Sequence, residues 1–242
     1  RLTTLREKIE CLAHHGVDRA HVVRFNREFA AMSPDNFVAQ LLVKNLNARW
    51  LLVGDDFRYG AQRSGDYAQL AQAAERFGFR LEAMDSVSIA GERVSSTAVR
   101  EALARADFRL AERLLGRRYT ITGRVAHGEK LGRRLGFPTA NIRLERKRVP
   151  FAGIYAVKLY GVDSVPLPAV ASLGVRPTVM IGAAPVLEVH VLDFDADIYG
   201  RRVGVEFLHK LRDEEKYPDL ETLRRQIQRD VENARQYLNS NV

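Results

Sequence analysis

The sequence predicts two architectures in succession: a parallel, doubly wound α/β sheet in the first half, then an antiparallel β-barrel with a terminal α-helix. Three observations carry this. Up to about residue 115, helical and strand patterns alternate at short intervals, which is the signature of βα units. From Tyr119 the chain changes to short β-rich segments broken by glycine and proline: YTITGRV, GIYAVKLY, PAVASLGV, VLEVHVLDF and RVGVEFLHKL. Such a series suits a barrel. Finally, Leu223, Ile227, Val231 and Ala234 share one stripe of an amphipathic helix over about 220–238. The change of pattern places a boundary near residue 118, giving domains 1–118 and 119–242.

In order, residues 4–15 carry Leu5, Ile9, Leu12 and Ala13 at helical spacing, with Gly16 as a stop. His21–Phe25 (HVVRF) reads as a buried strand. Ser33-Pro34-Asp35 combines an N-cap, a first-turn proline and an acid near the positive helix end, so a helix should run to about Lys44. Trp50–Val53 is a strand ending in the turn-rich Gly54–Gly65 segment. A helix at Asp66–Phe77, a strand at Arg80–Met84 and helices at Thr97–Ala104 and Asp107–Leu115 complete this half. Parallel sheets bind ligands at the carboxyl ends of their strands, the position Gly54–Gly65 occupies.

With 46% hydrophobic and 28% charged residues, the composition is that of an ordinary globular protein. No apolar run approaches the roughly 20 residues a membrane-spanning helix needs. The single cysteine, Cys11, excludes an internal disulfide and fits a reducing, cytoplasmic setting. A net charge of +8 and a pI near 9.8 favour an anionic partner. The charge is spread along the chain, which weighs against nucleic acid. The chain opens at Arg1-Leu2-Thr3 without methionine or a targeting segment and enters a helix at once, so the expectation is a remainder of a longer protein.

The richest stretch is Gly123–Asn141, GRVAHGEKLGRRLGFPTAN. Gly128, Gly132 and Gly136 lie four apart with Lys130, Arg133 and Arg134 between them. As a helix, three glycines would cost roughly 1 kcal/mol each against alanine, so a loop is expected. Glycines let backbone N–H groups approach a ligand, and the cations point to an anion. Thr139 and Asn141 supply oxygens suited to a hard cation such as Mg²⁺. The alternative is a basic, solvent-exposed loop.

In RVSSTAVR, Ser96 or Thr97 can cap a helix that puts Arg100 in its first turn, where the macrodipole disfavours a cation unless an anion is held there. Capping alone would also account for the cluster. Asp55 and Asp56 follow a strand. In VLEVHVLDF, alternation puts Leu187, Val189 and Val191 on one face and Glu188 and His190 on the other. Glu188 is either a solvated strand residue or a general base. A calcium loop at Asp193, Asp195 and Asp197 is excluded, because Ile198 and Gly204 stand where glycine and a bidentate glutamate are needed.

VGDDFRYG, RVSSTAVR, GRVAHGEKLGRRLGFPTAN, LEVHVLDFDADIYG and LRDEEKYPDLETL, in this order, resemble the bacterial bifunctional riboflavin kinase / FAD synthetase family. The resemblance implies a Rossmann-like nucleotidyltransferase domain, here 1–118, and a riboflavin kinase barrel, here 119–242. It implies MgATP-dependent conversion of riboflavin to FMN, and adenylyl transfer from ATP to FMN to give FAD. ATP, riboflavin and FMN are the implied partners, with no nucleic acid or membrane. Thr139 and Asn141 would bind Mg²⁺ and, with Gly128, Lys130, Gly132 and Gly136, the nucleotide phosphates. Glu188 would be the base and Arg212 part of a flap over the flavin. Arg93, Ser96, Thr97 and Arg100 match the phosphate motif of the adenylyltransferase, and Asp56 its flavin contact. The family's first strand and its histidine-bearing glycine loop have no counterpart among the six histidines, so the expectation is little FAD synthesis. The competing readings are a basic nucleic-acid module or a flavin sensor without turnover.

Overall fold

The computed structural model describes residues 2–54, 56–89, 91–128, 131–146, 148–175 and 185–240. The chain forms two compact units, Arg1–Val17 with Val94–Val242, and Asp18–Arg93.

Helix α1 (Leu5–His14) belongs to the larger unit. Its Thr4 cap accepts from Glu7 N at 3.2 Å, and Glu7 Oε2 accepts from Thr4 N at 2.6 Å, so two otherwise unpaired N–H groups are satisfied reciprocally. The smaller unit then contains α2 (Arg27–Ala30) and α3 (Pro34–Asn36), the latter capped by Ser33 and continued by π-helical turns over Phe37–Asn45. Next come β1 (Trp50–Gly54), α4 (Tyr67–Phe77), β2 (Arg80–Met84) and the short pair β3 (Ser88–Ile89) and β4 (Glu92–Arg93). Strands β1 and β2 pair in parallel, from Trp50 against Arg80 to Gly54 against Met84. Val38, Leu42, Tyr59, Leu70, Ala74 and Phe79 form this unit's core.

One expectation fails here. His21–Phe25 is not a strand, and Val22, Val23 and Phe25 are 60%, 46% and 79% exposed. Apolar residues favour a strand only when a neighbour supplies ladder hydrogen bonds and a face to pack against; among the described residues this segment pairs with no strand.

The larger unit resumes with α5 (Ser96–Ala104) and α6 (Phe108–Leu115). Strands β5 (Thr120–Ala126), β6 (Ala140–Arg143), β7 (Gly153–Tyr160), β8 (Leu167–Val175), β9 (Pro185–Val191) and β10 (Arg202–Arg212) close into an antiparallel barrel in the order β10-β5-β6-β9-β8-β7. One helical turn, α7 (Leu131–Arg134), interrupts the glycine-rich loop, and α8 (Leu220–Ser240) ends the unit. Ile121, Tyr155, Leu173, Leu187, Val189 and Phe207 fill the interior. Outside, Val231, Ala234 and Leu238 of α8 pack on Ile154, Ala156 and Val170.

Helix α1 is fixed to the barrel by a buried ion pair. Arg146 Nη2 donates to both Glu7 oxygens at 2.8 and 2.7 Å, and Thr122 donates to Glu7 Oε1 from its N–H and its hydroxyl, both at 2.9 Å. Burial raises the Glu7 pKa, but the backbone hydrogen bonds and the Arg146 charge outweigh it and leave the carboxyl below its ordinary value.

Candidate active site

Strand register brings the central residues together. Asn141 on β6 stands opposite Glu188 on β9, and Glu188 opposite Ser172 on β8. Directly opposed side chains of antiparallel strands share a face, with Cβ atoms about 5 Å apart. Asn141, Glu188 and Ser172 therefore form one row on the outside of the barrel, because their buried neighbours Ile142, Leu187, Ala171 and Leu173 point inward.

The loop before β6 supplies the next wall. Its single helical turn is stopped by Gly136 at φ +89°, and Phe137 N returns to Gly132 O at 2.8 Å. A Cβ at Gly128 would collide with the Asn141 amide, and one at Gly132 with the Phe137 carbonyl, 3.2 Å from Thr139 Oγ1. The glycines thus let the loop lie directly on the two oxygen-bearing residues. His190 Nδ1 lies 2.8 Å from the Pro138 carbonyl, a contact that requires Nδ1 to carry the proton. Lys130 lies outside the described residues.

Two cavities meet at Thr139. One, of about 260 Å³, is lined by Gly132, Thr139, Ser172, Glu188, Arg212 and Glu214, with Leu135, Phe137, Ile154, Val170 and α8 residues on its apolar side. The other, about 350 Å³, is lined by Arg133, Thr139, Asp195, Asp197 and Tyr199 among others. The centre of the His127 ring lies 4.0 Å from that of Tyr199.

The segment after β10 closes over the smaller cavity. Arg212 donates through Nε and Nη2 to Asp230 of α8 at 2.8 and 2.7 Å, and Gln226 adds a bond to the same carboxylate at 3.0 Å. The Arg212 guanidinium also lies 5.8 Å from the centre of the Tyr217 ring. Two barrel glycines form the seat. A Cβ at Gly153 would lie 2.7 Å from Arg212 O, and one at Gly174 would strike the Glu214 carboxylate.

Of the other predicted residues, Asp56 is exposed in the turn after β1 and Arg93 ends β4, both in the smaller unit. Ser96, Thr97 and Arg100 lie on α5 in the larger unit, all three exposed. The cap of α5 is Ser95, whose Oγ accepts from Ala98 N at 3.1 Å, not Ser96 or Thr97. Arg100 is consequently the fifth helical residue and stands one turn above Ser96, past the first turn.

A family model for riboflavin kinase matches residues 115–238, and one for FAD synthetase matches residues 1–98. The chain is 48% identical over 237 residues to the bifunctional riboflavin kinase/FMN adenylyltransferase of Escherichia coli K12, covering 98% of this chain and 75% of that one. With the enzyme of the same name from Haemophilus influenzae it shares 48% over 240 residues, covering 99% and 78%. The chain belongs to the bifunctional riboflavin kinase/FMN adenylyltransferase family. A solved structure described as a macrolide-efflux protein from Streptococcus pneumoniae also matches, with a TM-score of 0.82 and 29% identity over 97% of this chain and 75% of that one. Among the described residues no helix is long and apolar enough to cross a membrane, and that likeness bears on the fold alone.

Sequence reasoning misses Ser172, Glu214 and Asp230. Asp230 leaves a signal: it falls three residues after Ile227, inside the apolar stripe of α8, where a carboxylate needs a buried partner. Ser172 and Glu214 leave none, since only the β8–β9 register and the return of the chain after β10 bring them beside Glu188.

Proposed function

We propose that this protein makes flavin cofactors in the cytoplasm, phosphorylating riboflavin to FMN through residues 119–242 and transferring AMP from ATP to FMN through residues 1–118. The observation that carries the kinase half is the convergence of Thr139, Glu188 and Arg212 on one cavity, with Thr139 also bordering a second. The smaller cavity takes the flavin, its apolar side against the ring. The larger takes the nucleotide, with Arg133 near the phosphates.

Phosphoryl transfer relies mainly on positioning and charge neutralisation. Glu188 accepts the proton of the terminal riboflavin hydroxyl as that oxygen attacks the γ-phosphorus, whose bond to the β–γ bridging oxygen breaks to release ADP. A positioned base of this kind contributes roughly 10²- to 10⁴-fold. The Thr139 hydroxyl and the Asn141 amide oxygen are hard donors that fit Mg²⁺, and Gly128 leaves the Asn141 amide room to turn toward it. When bound, Mg²⁺ supplies positive charge against the ATP phosphates. Thr139 and Asn141 would thus hold a cation that arrives with the nucleotide. Arg212 is already matched by Asp230, and it holds the flap in place over the flavin.

For adenylyl transfer, Ser96, Thr97 and Arg100 on α5 are the phosphate-binding candidates of the larger unit, and Arg93 and Asp56 are the phosphate and flavin candidates of the smaller one. The test is a product chromatogram after incubation with riboflavin, ATP and Mg²⁺. FMN is expected, and E188Q should lower its rate at least about 10²-fold with an unchanged melting temperature. Undiminished FMN in E188Q removes Glu188 as the base; no flavin nucleotide from the wild type removes the whole reading.

A further inference from the structure

We propose that Glu214 and Ser172 form a subsite for the ribityl hydroxyls of the flavin, making Glu214 a specificity-determining residue of the kinase reaction. The inference rests on reading the smaller cavity as the flavin site. Ser172 stands next to Glu188 in the strand row. The carbons adjoining the hydroxyl that Glu188 deprotonates must therefore pass within reach of it.

Glu214 arrives at the same point from the flap. Its Oε1 accepts from Ser172 Oγ at 3.4 Å, a long hydrogen bond that leaves the carboxylate most of its accepting capacity. Gly174 lets this carboxylate lie directly on the barrel, since a Cβ there would meet it. The nearby guanidinium of Arg212 is bound in bidentate fashion to Asp230. Although Glu214 as a residue is exposed, partial burial pushes its carboxyl above the ordinary value, and Ser172 and Arg212 pull it back only in part. Donated hydrogen bonds would restore the charged form. The flavin ring offers an extended apolar face, which suits the opposite side of the cavity, whereas its ribityl chain is a run of O–H donors. A carboxylate accepts only, and its two oxygens can serve adjacent hydroxyls at once.

The experiment compares KM for riboflavin with KM for a flavin bearing a 5-hydroxypentyl chain, which keeps the terminal hydroxyl and lacks the others. The wild type should favour riboflavin by about tenfold or more, the scale of a hydrogen bond to a charged group. E214A and S172A should bring that ratio toward one, and E214Q should fall between. Retention of the full ratio in both E214A and S172A, with the two KM values rising together or not at all, overturns the proposal. Ser172 lies on a strand paired on both sides, so S172A keeps the test decisive if E214A fails to fold. L223W, which fills the apolar side, separates the two levels. If it raises both KM values while the ratio survives in E214A and S172A, the cavity holds flavin and the subsite is wrong; if it raises neither, the flavin reading fails and the subsite with it.

Discussion

The two main sheets of this protein show what closure contributes to a binding site. In the barrel every strand has two neighbours, and β9 alternates without a break between buried Pro185, Leu187, Val189 and Val191 and half-buried Val186, Glu188 and His190. In the smaller unit β1 and β2 form a two-stranded sheet, where Trp50 and Leu52 are 51% and 47% exposed. A one-residue slip would turn every side chain of a strand to its other face. In the barrel such a slip would bury Glu188 and expose Leu187, and partners on both sides resist it. Asn141 and Glu188, the residues proposed for the kinase site, are therefore placed by register, whereas Asp56 is placed by a turn.

The most direct way to break this contrast is to truncate one leucine in each sheet. L187A should cost about 2–5 kcal/mol in urea denaturation, while L52A should stay within about 0.5 kcal/mol. Equal losses would show that β1 is as tightly specified as β9.

A narrower test concerns the barrel's outer face. D230A leaves Arg212 without its partner in a pair whose side chains are 17% and 4% exposed, and the expected loss is about 3 kcal/mol. On the proposed reading, in which this pair holds a flap over the flavin, the KM for riboflavin should rise as well. A stability loss with unchanged KM would confine the pair to scaffolding.

The smallest effect sharpens the attachment of α1. The Glu7 carboxyl is held below its ordinary value of 4.5 in the folded state, so its contribution to stability is fully present above that pH. The contribution is lost as pH falls through the lower, folded value, and a tenfold difference in proton affinity between the folded and unfolded chains is worth about 1.4 kcal/mol. Melting curves taken down this range should therefore slope less steeply in E7Q than in the wild type. Identical slopes would mean that Glu7 titrates alike in folded and unfolded chains.

What the sequence makes legible follows from the range of each interaction. Alternation in VLEVHVLDF identifies the inward and outward faces of β9, and the three-residue offset of a cap places α3 after Ser33, because both are local. His21–Phe25 misleads because its composition supports a strand while pairing depends on a distant neighbour. Ser96 reads as a cap although Ser95 performs that role, a one-residue ambiguity inherent in a Ser-Ser pair. Thr139, Asn141 and Glu188 stand out by residue type, yet the common face of Asn141 and Glu188 depends on a ladder between strands dozens of positions apart. Ser172 and Glu214 depend on the same long-range closure without any unusual residue to mark them.

Thr139 forms part of two walls at once. A side chain shared in this way cannot settle around the contents of one cavity without presenting the result to the other. Any preference it imposes between empty and filled states must be equal in both directions, since linkage between two binding equilibria is reciprocal. With the two substrates placed as proposed, a T139A variant that changes the affinity for one substrate only when the other is present would show Thr139 carrying such a linkage.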